Sequence, residues 1–170
     1  MAIKAIKKGL YLNPDDLTSL FALGDLYLGE KDLLNAADTY KRIVNLTPGD
    51  RNTEDALVKL GTVYTDLERF NDAQDALQKA VSINPSNVQA SYALGIVYRK
   101  AGRMELAIQA WKRALNPPGL SGDRTGLSRE EERTIRLALG DIYRKNGAFD
   151  LALNEYKSVQ SRNREMPQIE

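Results

Sequence analysis

The chain has 170 residues, is 42% hydrophobic and 28% charged, and carries 24 Lys+Arg against 23 Asp+Glu for a formal net charge of +1. Bulk charge therefore gives it no strong pull toward polyanions. The absence of cysteine excludes disulfides and thiolate metal sites, and the absence of histidine removes the commonest general base together with the commonest metal ligand.

The charge is unevenly placed. Residues 1–85 hold 10 Lys+Arg against 13 Asp+Glu, a net of −3, and residues 86–170 hold 14 against 10, a net of +4. Opposite mild fields at the two ends can orient a partner. No run of about 18 apolar residues is present to span a membrane, and the opening MAIKAIKKGLYLNP lacks the apolar stretch and cleavage site of a signal peptide. The compartment is left unread.

In chain order, residues 2–14 read as a lone helix ended by Pro14, with Ile3, Ile6 and Leu10 along one side. After it the pattern Leu-Gly-x-x-Tyr occurs four times, at Leu23-Gly24…Tyr27, Leu60-Gly61…Tyr64, Leu94-Gly95…Tyr98 and Leu139-Gly140…Tyr143. Twelve residues beyond each glycine stands an alanine: Ala36, Ala73, Ala107, Ala152. Four further on comes a bulky residue, Tyr40, Leu77, Trp111 or Tyr156, and then Ile43, Ala80, Ala114 or Val159. Spacings of 3, 4 and 7 mark buried helical faces, so each unit predicts two amphipathic helices. Pro48 and Pro85 close the second helix of their units, because proline cannot continue a hydrogen-bonded turn. Glycine inside a helix costs about 1 kcal/mol relative to alanine, so four at one place predict a helix crossing too close for a side chain. The small alanine is expected to serve that crossing from the other side.

The glycines are separated by 37, 34 and 45 residues, and the extra length falls in TPGDRNT (47–53) and NPPGLSGDRTGLSR (116–129), both read as loops. Ser128 and Glu131 form a capping-box pattern that starts the next helix about a turn early. The units are then 17–50, 54–87, 88–116 and 129–164, with an inserted loop at 117–128 and a polar tail at 165–170.

These residues resemble the tetratricopeptide repeat (TPR) family, whose unit places Leu-Gly-Tyr on its first helix and Ala-aromatic-Ala-Pro on its second. Ser91 and Arg136 depart from the pattern at the leading position, and the fourth unit lacks the closing proline. The resemblance implies an all-α, right-handed superhelical solenoid of one lone helix and four helix pairs. The lone first helix fits the second half of a further unit, which predicts a segment of a longer repeat protein. It also predicts that Ile3, Ile6 and Leu10 lie uncovered and support a weak homodimer, the alternative role being self-assembly through repeat ends.

No catalytic or metal site is expected, and no cofactor. The carboxylate pairs Asp15-Asp16 and Glu130-Glu131-Glu132 sit at helix starts, where acids suit the positive end of the helix dipole. In the TPR family the first helices line a concave groove. In this chain that register implies a peptide-contacting line of Phe21, Asp25 and Leu28, then Val58, Thr62 and Thr65, then Tyr92, Ile96 and Arg99, then Leu137, Asp141 and Arg144. The lysine/asparagine clamp that some members use for chaperone C-termini is missing, since Phe21 and Asp25, or Val58 and Thr62, occupy its positions. The reading is a non-catalytic protein-interaction scaffold binding a peptide segment or partner helix, with neither nucleic acid nor membrane insertion.

Overall fold

The computed structural model describes residues 2–119 and 126–164, the side chains of 162–164 excepted. Nine helices occupy the described residues: α1 (Ala2–Leu12), α2 (Leu17–Gly29), α3 (Leu33–Leu46), α4 (Arg51–Asp66), α5 (Phe70–Ile83), α6 (Val88–Lys100), α7 (Met104–Leu115), α8 (Arg129–Lys145) and α9 (Phe149–Arg164). Each packs on the next, and the first helices α4 and α6 also touch, so the hairpins stack into an all-α solenoid with one continuous apolar core. The tail at 165–170 and residues 120–125 of the inserted loop lie outside the described residues.

The glycines have the steric role their position implies, but the partner is not the alanine. A Cβ built on Gly24 would stand 2.6 Å from the Tyr40 ring. The same atom on Gly61, Gly95 or Gly140 would run into Leu77, Trp111 or Tyr156. Each first helix thus lies directly against the bulky residue sixteen positions after its glycine. Tyr40, Leu77 and Trp111 are buried to 1% exposure or less, and Ala36, Ala73 and Ala107 to 0%.

The turn inside each hairpin is equally repetitive. The amide of Asp32 donates to the Tyr27 carbonyl and that of Lys31 to Leu28, the paired bonds that close a helix on a left-handed residue. Arg69 to Tyr64, Arg103 to Tyr98 and Ala148 to Tyr143 repeat the longer bond at 2.8–2.9 Å. The left-handed position is Gly102 and Gly147 in the last two hairpins but Lys31 (φ 58°) and Glu68 (φ 57°) in the first two.

Two expectations are corrected. The stretch 47–53 is not all loop: α4 starts at Arg51, because the Asp50 carboxylate accepts from the Thr53 amide at 2.9 Å and converts the extra residues into an added helical turn. Ile3, Ile6 and Leu10 are not an open face either. Leu10 is buried, Ile3 and Ile6 are half-buried against the core, and the large apolar residues α1 exposes are Tyr11 and Leu12. The helix turns its stripe toward α2, the neighbour it has. Glu131 does form the capping box with Ser128, and Asp16 caps α2 through the Ser19 amide.

Between units, the Arg42 guanidinium donates to the Pro14 carbonyl at 2.5 Å, and Arg113 to the Pro85 carbonyl at 3.0 Å. The buried Glu54 carboxylate accepts from the side-chain amides of both Asn84 and Asn87, fixing the joint between α5 and α6 onto α4.

Two substitutions should act against simple helix propensity. Gly61→Ala is expected to destabilise, although alanine gains about 1 kcal/mol in an open helix, because its methyl overlaps Leu77. Glu68→Gly is expected to stabilise by up to about 1 kcal/mol by removing left-handed strain. Trp111→Ala should cost about 3–5 kcal/mol as a buried ring is lost. Urea unfolding followed by circular dichroism measures all three.

Candidate functional site

The residues of the expected groove line come from the first helices, and two contacts show that these helices run side by side. Lys59 of α4 pairs with Asp25 of α2 at 2.7 Å, and Gln89 of α6 donates to Glu131 of α8 at 3.4 Å. Phe21, Val58, Tyr92 and Ile96 are half-buried, whereas Asp25, Thr62, Arg99, Leu137, Asp141 and Arg144 are exposed. Leu28 is half-buried. Thr65 is corrected: it is buried and its hydroxyl donates to the Gly61 carbonyl at 2.7 Å, so it belongs to the helix interior.

The two acids of the line are already engaged. Asp25 accepts from the Tyr40 hydroxyl at 2.6 Å as well as from Lys59, and Asp141 accepts from the Tyr156 hydroxyl at 2.8 Å. Each tyrosine lies under the glycine of its own hairpin and reaches past it to the next residue. The sequence carries a signal for this that the periodicity reading missed. Aspartate follows the glycine only in the units whose second helix brings tyrosine (Tyr40, Tyr156); Thr62 and Ile96 follow it where Leu77 and Trp111 stand. Trp111 instead donates its indole N–H to the Tyr92 carbonyl at 3.3 Å.

Burial, the hydrogen bond to Asp25 and its charge all push the Tyr40 hydroxyl well above the usual phenol range. For Tyr156 the hydrogen bond to Asp141 leads and burial adds to it, in the same direction. Tyr92 is raised too, chiefly by burial and then by the charge of Glu131 on α8.

Cations gather at the far end of the first helices. Arg99 and Lys100 close α6, and Arg144 and Lys145 close α8. The Arg99 guanidinium lies 5.8 Å from the centre of the Trp111 ring, and Arg144 is 3.9 Å from Asp141. The same ends of α2 and α4 carry no basic residue in their last turns. Among the described residues, no group of three or more acidic side chains is placed to hold a metal ion, and no helix is long and apolar enough to cross a membrane.

This stack of glycine-crossed hairpins is matched over residues 2–118 by the family model described as the cytochrome c-type biogenesis protein H TPR domain. The chain belongs to the tetratricopeptide repeat family. Among curated relatives it is 32% identical over 107 residues to the BBSome complex member BBS4 of Bos taurus, matching 63% of this chain and 20% of that protein. It is 32% identical over 117 residues to a probable UDP-N-acetylglucosamine–peptide N-acetylglucosaminyltransferase SPINDLY of Hordeum vulgare, matching 66% of this chain and 12% of that protein. The chain thus spans a fifth or less of these relatives.

Among solved structures, MamA superposes with a TM-score of 0.77 at 26% identity, covering 96% of this chain and 87% of that one. YrrB, described as a TPR protein with an unusual peptide-binding site, gives 0.69 at 22% identity, covering 94% and 75%, a likeness of fold alone. The TPR domain described here is a protein-interaction scaffold.

The tyrosine–aspartate struts carry a testable pH dependence. A phenol whose folded pKa is raised contributes stability that is complete below its unfolded pKa of about 10 and is lost as pH rises beyond it. The unfolding temperature of the TPR domain should therefore fall as pH rises above about 10, and Tyr40→Phe should flatten that fall while costing about 0.5–1.5 kcal/mol at neutral pH.

Proposed function

We propose that the TPR domain binds an extended peptide segment or a partner helix along the line formed by the first helices. The observation that carries this reading is the graded chemistry of that line. Half-buried Phe21, Val58, Tyr92 and Ile96 offer apolar and aromatic surface, and the exposed cations Arg99 and Arg144 flank its second half. Interfaces draw their affinity from such mixtures, with tyrosine and arginine over-represented among the strongest contributors because they join buried area to hydrogen bonding.

The bound segment is acidic where it passes α6 and α8. Arg99 and Lys100, then Arg144 and Lys145, bring four cations to one end of two neighbouring helices. The nearest groove acid, Asp141, is already shared with Tyr156 and Arg144. Asp25 and Asp141 serve as struts that hold the groove's shape, and the contacts come from the aromatic and basic residues beside them. The role is non-catalytic: binding alone uses the side chains the groove presents.

A peptide-array screen followed by fluorescence anisotropy on the best binder tests this. Arg99→Glu combined with Arg144→Glu should weaken an acidic peptide by at least about tenfold, through lost attraction and new repulsion. Tyr92→Ala should weaken it without changing the helical signal, and Lys79→Glu on a second helix should leave it unchanged. Binding indifferent to the paired arginine reversal overturns the placement.

A further inference from the structure

Every second helix carries a stripe at positions 9, 13, 16 and 20 after its unit's glycine, and in α3, α5 and α7 the following first helix packs over that helix. In α7 the stripe begins with Met104 and Ile108, both half-buried against the core. In α9 it is Phe149, Leu153, Tyr156 and Gln160, and here Phe149 is 67% exposed and Leu153 48%. The spacing of 4, 3 and 4 residues is that of an a/d seam, the pattern with which one helix lies along another.

The flanks of this seam identify an occupant. Asp150 and Lys157 stand seven residues apart on the same flank, each next to a seam residue. When two identical helices pack antiparallel about a two-fold axis, like flanks meet. A register that sets Leu153 against Tyr156 of the second copy also sets Phe149 against Gln160 of that copy. The same register brings Asp150 beside Lys157 of the second copy, and the two-fold axis makes the pair twice. A parallel arrangement would leave both charges unmatched.

We infer that the α9 seam is a self-docking surface, on which α9 of a second copy lies antiparallel with two Asp150–Lys157 pairs at its edge. The contact is isologous and closes as a dimer. Two helices of this length cover on the order of 1,000 Å², the low end for specific association, so the dimer is weak and concentration-dependent. This surface lies at the opposite end of the stack from Ile3, Ile6 and Leu10, and it is independent of the groove reading.

Sedimentation equilibrium of the 170-residue chain over a rising concentration series tests it, with circular dichroism confirming that each variant is folded. A monomer–dimer equilibrium is expected, weakened at least about tenfold by Leu153→Glu, which sets a carboxylate into the apolar seam. Asp150→Lys alone should weaken it several-fold, and Asp150→Lys combined with Lys157→Asp should restore it, whereas Leu151→Glu on the outer side changes nothing. A strictly monomeric chain, as follows if the seam's occupant is a helix of some other protein, overturns the inference. So does a dimer indifferent to Leu153→Glu, or a charge swap that fails to restore association.

Discussion

The solenoid rests on one steric constraint, the contact between a helical glycine and the bulky residue sixteen positions later. At Gly24, Gly61, Gly95 and Gly140 there is no room for a Cβ, because Tyr40, Leu77, Trp111 and Tyr156 occupy that space. Glycine in a helix costs about 1 kcal/mol, and that cost is offset by closing two helices over a large side chain. The approach also fixes the geometry of each hairpin, and with it the angle at which the next hairpin can stack. Where the contact is made four times with the same spacing, the units add up to one continuous core.

The same contact links the core to the candidate groove. Tyr40 and Tyr156 pass under their glycines and emerge beside Asp25 and Asp141, so the ring that packs the hairpin also positions a carboxylate on the groove. Trp111 does the corresponding work differently, binding the Tyr92 carbonyl and lying beneath Arg99. The hairpins are thus alike in backbone and unlike in the chemistry they bring to the surface. A repeat scaffold gains specificity in this way, because each unit's surface residues vary while its packing residues do not.

Charge distribution adds direction. The first two hairpins and the leading helix hold the net negative half of the chain, and the last two hold the positive half, with basic residues concentrated at the ends of α6 and α8. In the proposed binding role, an elongated partner lying across the stack would meet an electrostatic gradient that favours one orientation. Such gradients act on encounter and register more than on affinity.

Residue pattern alone determined the helix pairs, their order and the buried set from Leu23 to Ala152, because burial of a helical face leaves a period of 3 and 4 that repeats with the unit. It also determined the capping box at Ser128 and Glu131, since that is a local exchange of hydrogen bonds three residues apart. Only the tertiary structure decided what each glycine faces, that Thr65 lies inside while Asp25 is held by a tyrosine, and that α1 turns Ile3, Ile6 and Leu10 inward. These depend on groups far apart in the chain meeting at a given distance. A linear pattern records which faces are apolar, but which neighbour covers each face is settled only when the helices pack.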